Sequence, residues 1–235
     1  MKKENFIFFI IIIFQISCKN KCLSFKTNPN KFYGIDVSQY QDANSKVDWG
    51  LISSNTNPKI DFAFIRSTMG VDGIDQSFKE NVQLAQKHNI KIGVYHYYRP
   101  NESAKEQFKN FLNNNDNLGD IPPAVDIEEK GNQGMRELRK EVFIFLQLIE
   151  SHYGVKPIIY AYQKYHNLYL RNYFKDYHFW IARHHGIDND VERNTLKDEP
   201  KLWNNTCPLI WQYSATGKIM GISGKVDLNV TNTPI

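Results

Sequence analysis

From residue 32 onward, short apolar runs alternate with stripes of helical period, and towards the end of the chain the helical stripes disappear. The strand-type runs are Phe32–Val37, Asp61–Ser67, Lys91–Tyr98, Ala124–Ile127, Pro157–Tyr160 and His178–Arg183. Between the first six runs lie five helical segments. The first begins near Asp48. The second, Asp75–His88, carries Phe78, Val82 and Ala85 at intervals of four and three, and the third is Ser103–Asn113. The longest, 133–153, keeps Met135, Leu138, Val142, Phe145, Ile149 and Tyr153 on one face, and a short one covers Tyr162–Arg171. Two further runs, Leu209–Tyr213 and Lys225–Val230, are joined through Gly217, Gly221 and Gly224 with no helical pattern between them. Alternation of strand and helix implies a parallel sheet with crossover helices. Eight strands and about five helices in one unit of this length predict a single α/β barrel that loses its helices at the end.

Residues 121–129, Ile-Pro-Pro-Ala-Val-Asp-Ile-Glu-Glu, place acid in a strand that is otherwise apolar. The two prolines stop any preceding helix. Side chains alternate across a strand, so Asp126 and Glu128 share a face, their Cα atoms about 6.6 Å apart at a rise of about 3.3 Å per residue. Two carboxylates on one buried face resist ionising together. One is left holding its proton, the ordinary way of making an acid and a base from the same chemistry.

The net charge of +4 comes from 29 basic residues interleaved with 25 acidic ones, which is not a nucleic-acid footprint. Aromatic content is 14%, with 13 Tyr and 4 Trp, side chains whose flat faces and polar edges suit sugars. Lys2 and Lys3 precede an unbroken Phe/Ile run, Phe6–Phe14, and then Ser17-Cys18. This is the pattern of a secretion signal over 1–17. Ser17-Cys18 is similar to the end of a bacterial lipoprotein signal, in which Cys18 is lipidated and becomes the new N-terminus. Residues 18–31, rich in Asn and Lys, read as a tether, and 32–235 as the barrel. Cys22 and Cys207 can pair in an oxidising compartment, but spacing alone does not decide it. No metal-ligand spacing is present, and neither metal nor cofactor is expected.

In such a barrel, chemistry sits at the C-terminal ends of the strands. Those ends carry Asp36, then His96, Tyr97 and Arg99, then Asp126 and Glu128, Tyr160, Trp180 and Arg183, Trp211 and Gln212, and finally Asp227. His96 reads as a buried, hydrogen-bonded histidine. Four acids and a ring of aromatics on one mouth match the needs of glycoside hydrolysis, and no Ser or Cys nucleophile motif or phosphate loop competes. A deacetylase would need several His at strand ends, and only His96 is so placed. The polar stretch 184–207 reads as a long loop.

Six motifs in order, Gly34-Ile35-Asp36-Val37-Ser38, Phe64-Ile65-Arg66 with Gly70, Tyr95-His96-Tyr97, Pro123-Ala124-Val125-Asp126-Ile127-Glu128, Trp211-Gln212-Tyr213 and Val226-Asp227-Leu228-Asn229, resemble family 25 glycoside hydrolases, the Chalaropsis-type lysozymes. The resemblance spans about Phe32 to Val230. It implies a (β/α)5(β)3 barrel that cleaves the β-1,4 bond between N-acetylmuramic acid and N-acetylglucosamine in peptidoglycan. Glu128 would be the general acid. Asp126 would steady the forming positive charge or orient the substrate's acetamido group, with Asp36 and Asp227 tuning both. Tyr97, Arg99, Tyr160, Trp180, Trp211 and Gln212 are the candidate substrate contacts, with at least one of the aromatics in the core. The expected partner is peptidoglycan, met by an exported monomer held at a membrane through Cys18, with no nucleic acid. A binding-only module of the same fold is the alternative, and it predicts loss of an acid; all four are present.

Overall fold

The computed structural model describes residues 23–43, 45–184, 199–203 and 206–235. Its strands are β1 (Phe32–Val37), β2 (Ile60–Met69), β3 (Gly73–Ile74), β4 (Lys91–Tyr97), β5 (Ala124–Asp126), β6 (Ile158–Tyr162), β7 (Phe179–Ala182), β8 (Ile210–Gly217) and β9 (Val226–Thr231). Its helices are α1 (Trp49–Asn55), α2 (Phe78–Lys87), α3 (Ala104–Asn114), α4 (Met135–Tyr153) and the short α5 (Gln163–Tyr165), which runs on as a π-helical turn, His166–Leu170. Strand order is β1-β9-β8-β7-β6-β5-β4-β2-β3, and β1 also pairs with β2, which closes the ring. Neighbours from β1 through β2 and β4 to β8 are parallel. Only β9 runs against its neighbours, between β8 and β1. The two-residue β3 folds back on β2 outside the ring. The (β/α)5(β)3 barrel expected from the sequence is therefore the fold.

Helix boundaries follow local chemistry. Asp48 caps α1 by accepting from Leu51 N at 2.9 Å. Gly154, at φ +71°, ends α4 in the left-handed conformation that a glycine adopts at no steric cost.

Strand parity sorts the core into two parts. Phe62, Phe64, Ala124, Ile158, Tyr160, Trp180, Ala182 and Ile210 form one cluster in the barrel interior. Their neighbours, among them Ala63, Ile65, Val125, Ile159, Ile181 and Trp211, join the α4 residues Leu138, Val142, Phe145 and Ile149 in the layer between barrel and helices. Gly34 makes the interior possible on β1, because a Cβ there would lie 2.4 Å from the Phe62 ring.

The described part of the expected tether, from Leu23 on, is not free. Phe25 is 1% exposed and packs on Trp211 with ring centroids 5.8 Å apart. Asn232 Nδ2 donates to Leu23 O at 2.7 Å, and Ser24 Oγ donates to Glu199. Cys207 is disulfide-bonded, and its sulfur lies 3.7 Å from Leu23 O. Cys18 and Cys22, with the whole of the expected secretion signal, lie outside the described residues. A hydrophobic anchor on Trp211 is what makes 23–31 part of the body, and a run of Asn and Lys around a single Phe does not announce it. Phe25→Ala is expected to destabilise the protein by about 3 kcal/mol, read as a fall in thermal midpoint of roughly 6–12 °C; a midpoint unchanged within a degree would return the segment to a loose tether.

Candidate active site

The cleft at the C-terminal end of the barrel has a volume of about 210 Å³ and is lined by all four expected acids, Asp36, Asp126, Glu128 and Asp227. Each arrives by parity. Asp36 follows the inward Gly34 on β1, and it lies directly opposite Asp227 in the β1–β9 register. Asp126 ends β5. Glu128 lies just beyond the strand, and the ladder reaches it through Ile127 N, which donates to Tyr160 O at 3.0 Å.

Asp36 is the most heavily held of the four. Its Oδ2 accepts from Asn229 Nδ2 at 2.7 Å and Gln212 Nε2 at 3.0 Å. Both amides are fixed from behind: Trp180 Nε1 donates to Asn229 Oδ1 at 2.8 Å, and Tyr160 OH donates to Gln212 Oε1 at 2.9 Å. His184 Nε2 meets the same Gln212 oxygen at 2.8 Å. Burial pushes the Asp36 carboxyl up, and the two amides and Asp227 pull against it. Burial raises Asp227 to about 9, and the neighbouring Asp36 charge adds to the shift. Asp227 thus keeps its proton at neutral pH and holds it against the Asp36 carboxyl.

Asp126 is in the opposite condition. Its Oδ1 is buried without a hydrogen-bond partner among the described residues. Burial first, then Glu128 and Asp36, drive its carboxyl well up, while Arg66 works against the rise. Arg66 is itself buried, its Nε donating to Asp75 Oδ2 at 3.1 Å and its guanidinium lying 5.0 Å from the Tyr40 ring centroid. Glu128 is raised to about 7, by burial first and then by the Asp36 and Glu129 charges. Near neutral pH it is divided between acid and base, the condition a general acid needs.

Of the expected substrate contacts, Tyr97, Tyr160, Trp180 and Gln212 line the cleft and Trp211 and Arg99 do not. Trp211 is 0% exposed, packs in the helix-side layer and donates from Nε1 to Arg183 O at 2.9 Å. Adjacent residues of a strand face opposite ways, so once Gln212 points inward Trp211 cannot. Arg99 turns to an ion-pair cluster outside the cleft, with Asp72 and Glu102 each 3.3 Å from Nη1. His96 is fully buried, with Nδ1 2.8 Å from Thr68 Oγ1 and Nε2 3.2 Å from Gln107 Oε1. Burial lowers it to about 4, so it is a neutral structural histidine.

Arg66, Tyr40, Tyr162, His184 and Tyr95 also line the cleft and were not singled out as site residues. Tyr95 and Tyr162 were available by parity, lying two residues from the inward Tyr97 and Tyr160. Tyr40, 67% exposed on the loop after β1, carried no such signal. Among the described residues no group of three or more His, Cys, Asp or Glu is arranged to hold a metal ion.

Residues 35–222 match the family model for glycosyl hydrolases family 25. The chain belongs to that family. Its relatives include Lysozyme M1 of Streptomyces globisporus, 28% identical over 214 residues, which cover 85% of this chain and 67% of that protein. An uncharacterised protein of Escherichia coli K12, YegX, is 34% identical over 203 residues, 85% of this chain and 69% of its own. A family 25 glycosyl hydrolase from Bacillus anthracis superposes with a TM-score of 0.72 at 27% identity, covering 86% of this chain and 89% of that one. The protein is a glycoside hydrolase, and its cleft carries every acid of the motif set.

The raised Glu128 also has a stability consequence. Its folded-state value of about 7 lies above the ordinary 4.5. Folding therefore favours the protonated form, and that contribution is complete below about pH 4.5 and is lost as pH rises through about 7. Glu128→Gln is expected to be more stable than the parent by about 3 kcal/mol at pH 8 and equal to it at pH 4; denaturant titrations at the two pH values test this, and equal stabilities at pH 8 would contradict it.

Proposed function

We propose that Glu128 is the general acid of a muramidase that cleaves the β-1,4 bond between N-acetylmuramic acid and N-acetylglucosamine in peptidoglycan. The observation that carries the assignment is a half-buried carboxyl, raised to about 7, in a cleft shared with three other acids. Glu128 gives its proton to the glycosidic oxygen as the bond to the anomeric carbon breaks. Its carboxylate then takes a proton from the water that completes hydrolysis. Asp126, which lines the cleft beside Glu128, accepts the acetamido N–H of the substrate and so orients that group towards the anomeric carbon. A donor there also favours ionised Asp126. The Asp36–Asp227 pair keeps one negative charge beneath the forming cation. Tyr40, Tyr97 and Tyr162 supply the walls and Trp180 and Tyr160 the floor.

The enzyme acts as an exported monomer. The signal-like residues 1–17 direct export, and lipid on Cys18 retains the chain at a membrane. Cys18→Ser is expected to move the protein from the membrane fraction to the soluble exported fraction; retention at the membrane would exclude the anchor.

Incubation with purified peptidoglycan is expected to release fragments with new N-acetylmuramic acid reducing ends, identified by mass spectrometry. Glu128→Gln should lose about 10³-fold in kcat while staying folded, and Asp36→Asn should lose less, about tenfold. Because the acid must be protonated, kcat/KM should fall with a limb at about pH 7. Full turnover by Glu128→Gln would overturn the assignment.

A further inference from the structure

A second feature lies on the outer wall of the barrel. Helix α4 begins at the catalytic end, nine residues after Asp126, and its first turns carry Arg136, Arg139 and Lys140. With Phe143, Tyr173 and Phe174 these cations line a separate groove of about 470 Å³. Phe174 is buried and forms the floor, while Phe143 and Tyr173 are 44% and 57% exposed. Like charges at spacings of three and four on one helix face repel. Among the described residues the only acid paired with them is Glu137, 2.9 Å from Lys140 Nζ. Arg136 is exposed and has neither a hydrogen bond nor an ion pair among the described residues.

The groove is also preorganised. Arg139 Nε donates to Tyr169 O at 2.7 Å, and its guanidinium lies 3.8 Å from the Tyr173 ring centroid. In the loop before α4, Lys130 lies 5.2 Å from the centroid of the Tyr169 ring. An apolar floor with cations on its edge fits a ligand that presents carboxylates beside short aliphatic side chains.

We propose that this groove binds the stem peptide of peptidoglycan, its carboxylates on Arg136 and Lys140 and its aliphatic side chains against Phe143 and Tyr173. The inference rests on peptidoglycan being the substrate. The dimensions agree: α4 rises about 10 Å from Arg136 to Phe143, and an extended peptide of four residues reaches about 14 Å. A glycan strand in the cleft and a stem peptide in the groove bind as one bivalent ligand, which holds the enzyme on an insoluble wall between cuts.

The test is cosedimentation of the full chain with insoluble peptidoglycan, in a Glu128→Gln background so that the wall is not consumed. Arg136→Glu combined with Lys140→Glu, both exposed positions outside the cleft, is expected to weaken binding about tenfold at low salt. The difference should vanish in about 1 M NaCl, where screening is complete within a few ångströms. Tyr173→Ala, which leaves the charges in place, should weaken binding in the same direction. Peptidoglycan stripped of its stem peptides should bind the parent and the charge variant equally. Equal binding of both to the intact wall, or the same loss on stripped glycan, would overturn the proposal. A loss confined to anionic phospholipid vesicles would reassign the groove to a membrane and overturn it too. Release of muramic acid reducing ends by the otherwise native chain is measured separately. Cleavage with unaltered wall binding by the groove variants sinks the groove alone, and weakened wall binding without cleavage sinks the muramidase reading alone.

Discussion

An eight-stranded barrel has an interior just wide enough for side chains to fill, so every second residue of every strand must either fill it or be put to use. Towards the N-terminal end of the strands the filling is aromatic: Phe62 and Phe64 from β2, the latter stacked on Trp180 with centroids 4.6 Å apart. Gly34 and Gly93 leave the space that these rings occupy. One inward position further along, β1 and β2 present Asp36 and Arg66, and β5 presents Asp126 two residues beyond the inward Ala124. The cleft is the end of the barrel at which apolar filling stops. Its volume is set by the aromatics beneath it as much as by the acids around it.

Gathering four carboxyls in that space opposes folding, and the structure answers the cost unevenly. Asp36 receives two side-chain amides that are themselves held by Trp180 and Tyr160. Asp227 is neutralised by keeping its proton. Asp126 and Glu128 are given no such relief, apart from the charge of Arg66 near Asp126. That asymmetry divides the four: Asp36 is satisfied by amides within the protein, while Asp126 keeps an oxygen with no hydrogen-bond partner among the described residues.

The segment before β1 packs against the outer layer of the barrel. Phe25 packs on Trp211, and the Leu23 carbonyl is fixed by Asn232 near the end of the chain. The described chain therefore begins at the face away from the acids, while the cation-lined groove of α4 begins at the face that carries them.

Periodicity in the sequence was enough to determine the order of strands and helices, the loss of helices after β7 and the shared face of Asp126 and Glu128, because each depends only on neighbours a few residues apart. The same rule of alternation also excluded Trp211 once Gln212 was placed inside, although nothing in the sequence says which of the two faces in. The remaining features depend on groups far apart in the chain. The pairing of Asp36 with Asp227 requires β9 to lie antiparallel against β1. Arg99 was diverted from the cleft by Asp72, on the turn between β2 and β3. Phe25 gained its role from a tryptophan at the far end of the chain. Local pattern determined which residues could reach the mouth; tertiary contact decided which of them are left unpaired there, because burial and charge are properties of the assembled barrel and of no single strand.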